Sequence, residues 1–384
     1  MTESGRPADP LRRRTLLPLV VIGGLFLAAC GQGSATGETE NTAGPTSDDT
    51  LSSSLASYTG IPIGGRFEDA EHGAVVRAKC AADGCGYQVL TTSDGGKTWS
   101  TADVPGPPVT STPLDDAYAV VLPGGQIVTE IQVDADRPAR RTADGGKTWA
   151  PQKAAPVGVT TSVAGNEALV GWCAQSVDCA EPLLRVIRPN GTSASFGPPP
   201  AQLTETISAS RVPEGALWVQ GRDGVGRVVL AVSRDNGKSW TLNRVPAAAA
   251  STVSIAGAGD AAWALSLSDP DTGGAGGTVP TEPGRKTRQS LLYSADSART
   301  FNPVKLPEDY RLNTGSGVGV TDSGAAVIAS DGRVAVVTPD GDVTDVPDVQ
   351  GAVYDLGDKV LVYGPKASWV TSDGTTWNQL PALT

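Results

Sequence analysis

The sequence predicts an all-β body in which small four-stranded sheets repeat around a ring. Three observations predict it. An eight-residue turn motif recurs along the chain. A column of strand positions repeats at spacings of 42, 52, 48, 45, 64 and 34 residues. The chain holds 47 Gly and 29 Pro but one Met, with few long apolar runs, a composition that argues against a helical bundle.

The turn motif comes first, because internal repetition constrains a fold more than composition does. Thr92-Ser93-Asp94-Gly95-Gly96-Lys97-Thr98-Trp99 recurs as Thr142 to Trp149 and as Ser233 to Trp240. A worn copy runs from Ser294 to Phe301, and a copy one residue shorter from Thr371 to Trp377. The aspartates are Asp94, Asp144, Asp235, Asp296 and Asp373; the closing aromatics are Trp99, Trp149, Trp240, Phe301 and Trp377. Each carboxylate is placed to accept hydrogen bonds from backbone N–H groups of its own turn. The glycines supply positive φ, and the aromatic starts the next strand, buried against a neighbour. This is hairpin chemistry and predicts a structural, non-catalytic role.

The strand column runs through Val76, Tyr118, Val170, Trp218, Trp263, Val327 and Leu361. It counts seven units of the size of a four-stranded propeller blade, with six as the alternative count. Units three and six lack the full motif but keep turns at Pro189-Asn190-Gly191 and Pro339-Asp340-Gly341. The long spacing contains an insertion, Asp269 to Arg288, rich in Gly, Pro and Thr. The short last unit is expected to borrow a strand from residues 57–66, which would remove an exposed sheet edge. Trp172, Trp218, Trp263 and Trp369 lie on strands and are expected in the inter-blade core.

Ahead of the repeats, Arg12, Arg13 and Arg14 precede an apolar run from Leu16 to Ala29. At about 14 residues it is shorter than the roughly 20 of a spanning helix, so it reads as a signal segment. Its end, Leu27-Ala28-Ala29-Cys30-Gly31, resembles the bacterial lipobox. The resemblance implies diacylglycerol on Cys30, removal of residues 1–29, and a lipid-anchored protein on the extracytoplasmic face of the cell membrane. Arg13-Arg14-Thr15-Leu16-Leu17 is also similar to a twin-arginine export signal. Residues 30–56 are polar and small and cannot bury enough surface to offset ordering entropy, so they read as a tether. The propeller is expected over 57–384.

Formal charge is −11; removing residues 1–29 takes away four arginines and two acids and leaves −13. An acidic body without a basic run excludes electrostatic binding of nucleic acid. Besides Cys30, the cysteines form two close pairs, Cys80 with Cys85 and Cys173 with Cys179. In an exported chain such pairs read as local disulfides. His72 is the one histidine, so neither a zinc site nor a Ser/His/Asp triad is expected beyond it. No cofactor, metal or catalytic residue is predicted, and the protein is expected to be a monomer.

The S/T-x-D-x-G-x-T-W pattern resembles the Asp-box, or BNR repeat, of sialidases, xyloglucanases, sortilins and photosystem II assembly factors. Close variants are similar to uncharacterised lipoproteins of high-GC Gram-positive bacteria. The resemblance covers residues 57–384 and implies a fold, not an activity. A sialidase needs three substrate-clamping arginines, a Tyr–Glu pair and an acid Asp. Its first-blade F/Y-R-I-P motif is absent; the nearest matches are Ser210-Arg211-Val212-Pro213 and Asn243-Arg244-Val245-Pro246, while Tyr310 beside Glu308 and Asp309 is the nearest Tyr–acid group. The expected function is a non-enzymatic binding or scaffold module for a protein or glycan, with an exo-sialidase-type glycosidase as the alternative. The motif turns are expected on one face of the disc. Irregular second-to-third-strand loops are expected on the other, with Asp134, Arg137, Asp178, Arg222 and Asp223 as recognition contacts.

Overall fold

The computed structural model describes residues 57–383 except 83, 109–116, 132–138, 153–155, 173–182, 199, 201, 248–251, 269–287, 309, 311, 313–316 and 331–332. Outside the described residues lie Cys30 and its signal segment, the tether, Asp134, Arg137, Asp178, the Cys173–Cys179 pair and the insertion up to Arg288.

The architecture is an all-β propeller of seven four-stranded blades. Blade one comprises β1 (Pro62–Phe67), β2 (Gly73–Ala81), β3 (Gly84–Thr92) and β4 (Ser100–Asp103). Blade two comprises β5 (Ala117–Val121), β6 (Ile127–Ile131), β7 (Ala139–Thr142) and β8 (Ala150–Gln152). Blade three comprises β9 (Val159–Thr160), β10 (Ala168–Trp172), β11 (Leu183–Ile187) and β12 (Ser193–Phe196). Blade four comprises β13 (Leu203–Arg211), β14 (Leu217–Asp223), β15 (Val228–Ser233) and β16 (Thr241–Arg244). Blade five comprises β17 (Thr252–Ala258), β18 (Ala261–Ser268), β19 (Arg288–Ser294) and β20 (Asn302–Val304). Blade six comprises β21 (Val318–Val320), β22 (Ala326–Ser330), β23 (Arg333–Val337) and β24 (Val343–Val346). Blade seven comprises β25 (Ala352–Asp355), β26 (Val360–Tyr363), β27 (Ser368–Thr371) and β28 (Asn378–Gln379).

Burial peaks in the middle strands, and composition follows it. Middle strands are covered on both faces by neighbouring blades, so β15 (VVLAVS) and β22 (AVIAS) are buried throughout. The outermost strands, such as β4 (STAD), which is largely exposed, and β16 (TLNR), which is exposed at its two ends, carry polar residues that blunt their free edges. Apolar clusters fill the seams between successive blades. One of them joins blade seven to blade one through Leu356, Leu361, Val370 and Leu380 against Phe67, Val75 and Leu90.

That seam corrects the expected closure. Blade seven has its own fourth strand, β28, and residues 62–67 form the first strand of blade one. The ring closes by packing and polar clasps instead of by an exchanged strand. Phe67 donates its backbone N–H to Leu356 (2.7 Å), Tyr363 Oη donates to Thr59 O (3.0 Å), and Arg77 Nη1 donates to Pro381 O (2.8 Å). At the inner ring β1 lies so close to β5 that a Cβ on Gly64 would sit 2.1 Å from Ala119 O.

The strand column is corrected in two places. Val76, Trp218, Trp263, Val327 and Leu361 occupy second strands, but Tyr118 lies on β5, the first strand of its blade. Blade three departs further: its order is β10-β11-β12-β9, with the two-residue β9 pairing in parallel on the outer edge of β12. The innermost position falls to β10. Around the axis, blades one, two, four and seven contribute the C-terminal ends of their first strands, whereas blade three contributes the beginning of β10, from Ala168. β10 therefore runs opposite to those inner strands.

Candidate functional site

The recurrent turns connect the third and fourth strands of blades one, two, four, five and seven, as expected. In the first, Thr98 donates to Asp94 from both its N–H (2.9 Å) and its hydroxyl (2.6 Å). Thr92 Oγ1 donates to the same carboxylate (2.9 Å) and accepts from Gly96 N–H (2.9 Å). The pattern recurs at Asp144, Asp235 and Asp296. These donors hold Asp94, Asp144 and Asp235 at about 2, below the usual carboxylate range; Asp296 and Asp373 are lowered too. Every one of these carboxylates is satisfied within its own turn.

The turn aromatics are latches between blades. Trp99, Trp149, Trp240, Phe301 and Trp377 each pack into the seam with the preceding blade. Trp99 Nε1 donates to Gly96 O (2.9 Å), and a Cβ on Gly96 would meet Val370 Cγ2 of blade seven at 2.6 Å. The four tryptophans are half-buried; the strand residues Trp218 (4 % exposed) and Trp263 (0 %) are the deeper core.

The first-to-second-strand turns share the face of these motif turns: Gly95 N–H donates to Glu71 O, and Ser297 N–H to Asp260 O. The second-to-third connections lie at the opposite ends of the blades. There Cys80–Cys85 forms the expected disulfide across the β2–β3 hairpin, and Thr59 Oγ1 donates to Cys80 O (2.8 Å). Arg222 and Asp223 are on that face, tied into their own surroundings. Arg222 pairs with Glu205 (3.3 Å), and Asp223 pairs with Arg227 (2.8 Å) while accepting from the N–H groups of Val225 and Arg227.

On the motif-turn face, the axis opens into a cavity of about 200 Å³. Arg66, Glu167, Arg211 and Asp355 give it charge; Val120, Leu169, Pro213 and Leu356 give it apolar walls. Arg66, Arg211 and Asp355 occupy similar register positions, at the ends of β1, β13 and β25, just before a turn. Strand-end alignment was the signal for them in the sequence, and the ring brings together what the chain keeps far apart. Arg211, within the sialidase-motif near-match, is fully committed at its Nη atoms. Nη1 donates to Gly215 O (2.8 Å) and Asn236 Oδ1 (3.2 Å), and Nη2 to Val163 O (3.1 Å) and Ala164 O (2.9 Å). The other near-match, Arg244, is on the outermost strand β16, and Tyr310 packs against the seam of blades five and six.

Arg66 differs. Its Nη1 donates to Arg211 O (2.7 Å) and its Nη2 has no hydrogen-bond partner; a buried, unpartnered Nε is a feature the two arginines share. No carboxylate forms an ion pair with it among the described residues. Burial pulls its guanidinium down from the ordinary arginine value, and the charges of Asp358, Glu68 and Asp355 partly restore it. Asp355 is crowded by the surrounding blades, which pushes its carboxyl up to about 7, although the side chain stays open to the water of the cavity. Glu167 is held by Arg188 (3.1 Å).

A second cleft of about 570 Å³ lies on the same face at the seam of blades four and five. It borders Arg211, Glu214, Trp218, Arg234, Asp260 and Ser297. Glu214 Oε2 accepts from Gly259 N–H (3.3 Å), Arg234 Nη2 donates to Ser297 O (3.1 Å), and Ser297 Oγ donates to Asp260 Oδ1 (2.5 Å). Burial, with a smaller push from Asp260, raises the Glu214 carboxyl. Among the described residues no group of three or more His, Cys, Asp or Glu is disposed to hold a metal.

No family model matches the chain, and no curated protein matches its sequence. Solved structures do. A prolyl endopeptidase is similar at 13% identity over 87% of this chain, with TM-score 0.46. The chain spans about half (51%) of that protein's length. YCF48 bound to D1 peptide is similar at 14% identity over 85% of this chain and 83% of its own, with TM-score 0.32. Trypanosoma rangeli sialidase in complex with the inhibitor DANA is similar at 12% identity over 84% of this chain and 54% of its own, with TM-score 0.40. These likenesses concern the fold alone.

Proposed function

We propose that the protein is a non-enzymatic binding module, held at the extracytoplasmic face of the membrane by lipid on Cys30, with its working surface at the axial mouth. The observation that carries this reading is the state of Arg211. A sialidase-type site needs arginines turned toward a substrate carboxylate, and here both Nη atoms hold protein acceptors. The turn aspartates are likewise satisfied internally, so they stabilise the frame instead of acting as acids. The mouth keeps a small polar cavity with an under-bonded guanidinium, which suits recognition of one functional group of a larger partner. At about 200 Å³ it is below the range of roughly 300–1,000 Å³ typical of whole small-molecule ligands.

The glycosidase alternative has one observation in its favour, the free edge of Arg66 on the axis. A fluorogenic sialoside separates the two readings. The binding-module reading expects no turnover above buffer; turnover that is lost in Arg66→Gln while the melting temperature holds would establish the glycosidase instead.

A further inference from the structure

Trp218 and Trp263 hold the same place in successive blades, on the second strand and in the seam with the following blade. Their surroundings differ. Trp263 pairs across the sheet with Tyr293, packs on its ring (centroids 4.8 Å apart) and donates Nε1 to Gly324 O (2.9 Å) in the first turn of blade six. Trp218 faces the smaller Val232 across the sheet. The first turn of blade five is also the shorter one: β17 ends at Ala258 and β18 begins at Ala261, whereas β21 ends at Val320 and β22 begins at Ala326. That short turn supplies Trp218 with no acceptor. Its indole N–H has none among the described residues, and unlike that of Trp240 it is not sealed from solvent.

The seam cleft lies over this tryptophan. At about 570 Å³ it falls within the roughly 300–1,000 Å³ typical of whole small-molecule ligands. Trp218, 4 % exposed, belongs to the floor; Glu214, Arg234 and Asp260 form an exposed rim on both sides of the seam. With Arg211 the cleft carries two positive and two negative charges, and no ion pair joins any of the four among the described residues. The charges are balanced without being spent on one another. Asp260 uses Oδ1 on Ser297, and Arg234 uses Nη2 on Ser297 O. An acceptor on Asp260 (Oδ2) and donors on Arg234 (Nε, Nη1) and Trp218 (Nε1) are left for a ligand, and Glu214 adds a second carboxylate.

A charged ligand would upset this balance and leave one charge uncompensated in a partly desolvated site. A neutral ligand has to bring donors and acceptors close together. Hydroxyl groups do this, each donating one hydrogen bond and accepting two. A neutral peptide side chain brings one polar tip on an apolar stem, which does not match polar groups on both walls of one pocket. We infer that the seam cleft of blades four and five binds a neutral saccharide, the hydroxyls of one sugar ring donating to Asp260 and Glu214 and accepting from Arg234 and the Trp218 indole. The site shares only Arg211 with the lining of the axial mouth and stands apart from the function given for that mouth.

The test uses the full chain in a detergent without a sugar headgroup. The probes are an array of neutral saccharides together with the uronic-acid and amino-sugar counterparts of each, followed by calorimetric titration of the members bound. Neutral members of one configuration should bind saturably, about tenfold or more tighter than their charged counterparts, since an uncompensated charge costs at least that factor. Trp218→Phe keeps an aromatic ring, removes the N–H and should weaken that binding about three- to tenfold. Asp260→Asn leaves one positive charge in excess and should shift the preference toward the uronic acid. Arg234→Gln leaves one negative charge in excess and should shift it toward the amino sugar; misfolding produces neither gain. No saturable binding to any saccharide, equal binding of charged and neutral members, or preferences unmoved by these variants would overturn the inference and leave the reading of the axial mouth intact. Binding of hexapeptides of Ser, Asn and Gln but of no saccharide would overturn it in favour of a peptide. Sialoside turnover lost in Arg66→Gln would instead remove the reading of the mouth and leave the seam site.

Discussion

Asp355 and Asp94 show how one residue type takes opposite tasks in this molecule. Asp94 accepts local N–H and O–H donors and is held at about 2; Asp355 is crowded by blades and raised to about 7. The signs for stability follow. The turn aspartates favour the folded state above their ordinary value of 3.8, and that contribution is lost as pH falls through about 2. Asp355 does the reverse: its protonated form favours the fold below 3.8, and that contribution is lost as pH rises through about 7. Asp355→Asn should therefore match wild type in melting temperature near pH 4 and exceed it near pH 8. Asp94→Asn should instead lower stability at pH 7 and flatten the fall between pH 4 and 2. Melts across pH check both; an Asp355→Asn variant that loses stability most at pH 8 would show that its charge is needed by Arg66.

At the scale of the element, the recurrent turn acts as a latch, and its glycines serve two ends. Gly95 (φ 76°) and Gly96 (φ 88°) take left-handed conformations, and Gly96 also lies against Val370 of the preceding blade. The worn turn keeps that backbone without glycine: Ser297 has φ 56° and Ala298 has φ 64°. Gly96→Ala should destabilise by about 2–4 kcal/mol, from left-handed strain plus overpacking. Ala298→Gly should stay within about 1 kcal/mol of wild type, strain relief offsetting the lost methyl group. Chemical denaturation of both variants tests this; equal losses would mean that the turn geometry carries no strain. These turns were legible in the sequence because Asp, Gly and Trp each answer a local demand. Pro189-Asn190-Gly191 and Pro339-Asp340-Gly341 were legible for the same reason, and Gly191 (φ 80°) and Gly341 (φ 91°) take the left-handed form. The slip at Tyr118 had a physical cause: first and second strands are both short apolar runs bounded by turns, and periodicity does not separate them. The displaced strand of blade three was not legible, since a two-residue parallel pairing has no local signature.

For the whole molecule, closure is the feature that local patterns could not supply. A borrowed strand was a reasonable expectation for a short last unit, but β28 completes blade seven and leaves the ends to be clasped by side chains. Arg77 is central there: 5 % exposed, it donates to Gln88 Oε1 (2.6 Å) and to the carbonyls of Pro381 (2.8 Å) and Ala382 (3.3 Å). Arg77→Ala should cost about 2–3 kcal/mol and release the C-terminal residues first. Hydrogen exchange should show faster opening of β28 than of β26, and uniform protection across blade seven would contradict the clasp. Closure also explains why Arg66 and Asp355 were not singled out in the sequence, where Arg211 stood out only as part of a near-match to a sialidase motif. Arg66 meets Arg211 across the axis, and Asp355 joins them because the ring returns blade seven to blade one.

The central claim is that the partner is held on the motif-turn face at the axial mouth. Site-specific photocrosslinking tests it most directly, with p-benzoylphenylalanine replacing Pro213, beside the cavity, or Val225, 68 % exposed on the opposite face. The account expects a partner crosslink from position 213, abolished by Arg66→Gln, and none from position 225; crosslinks from position 225 alone would contradict it.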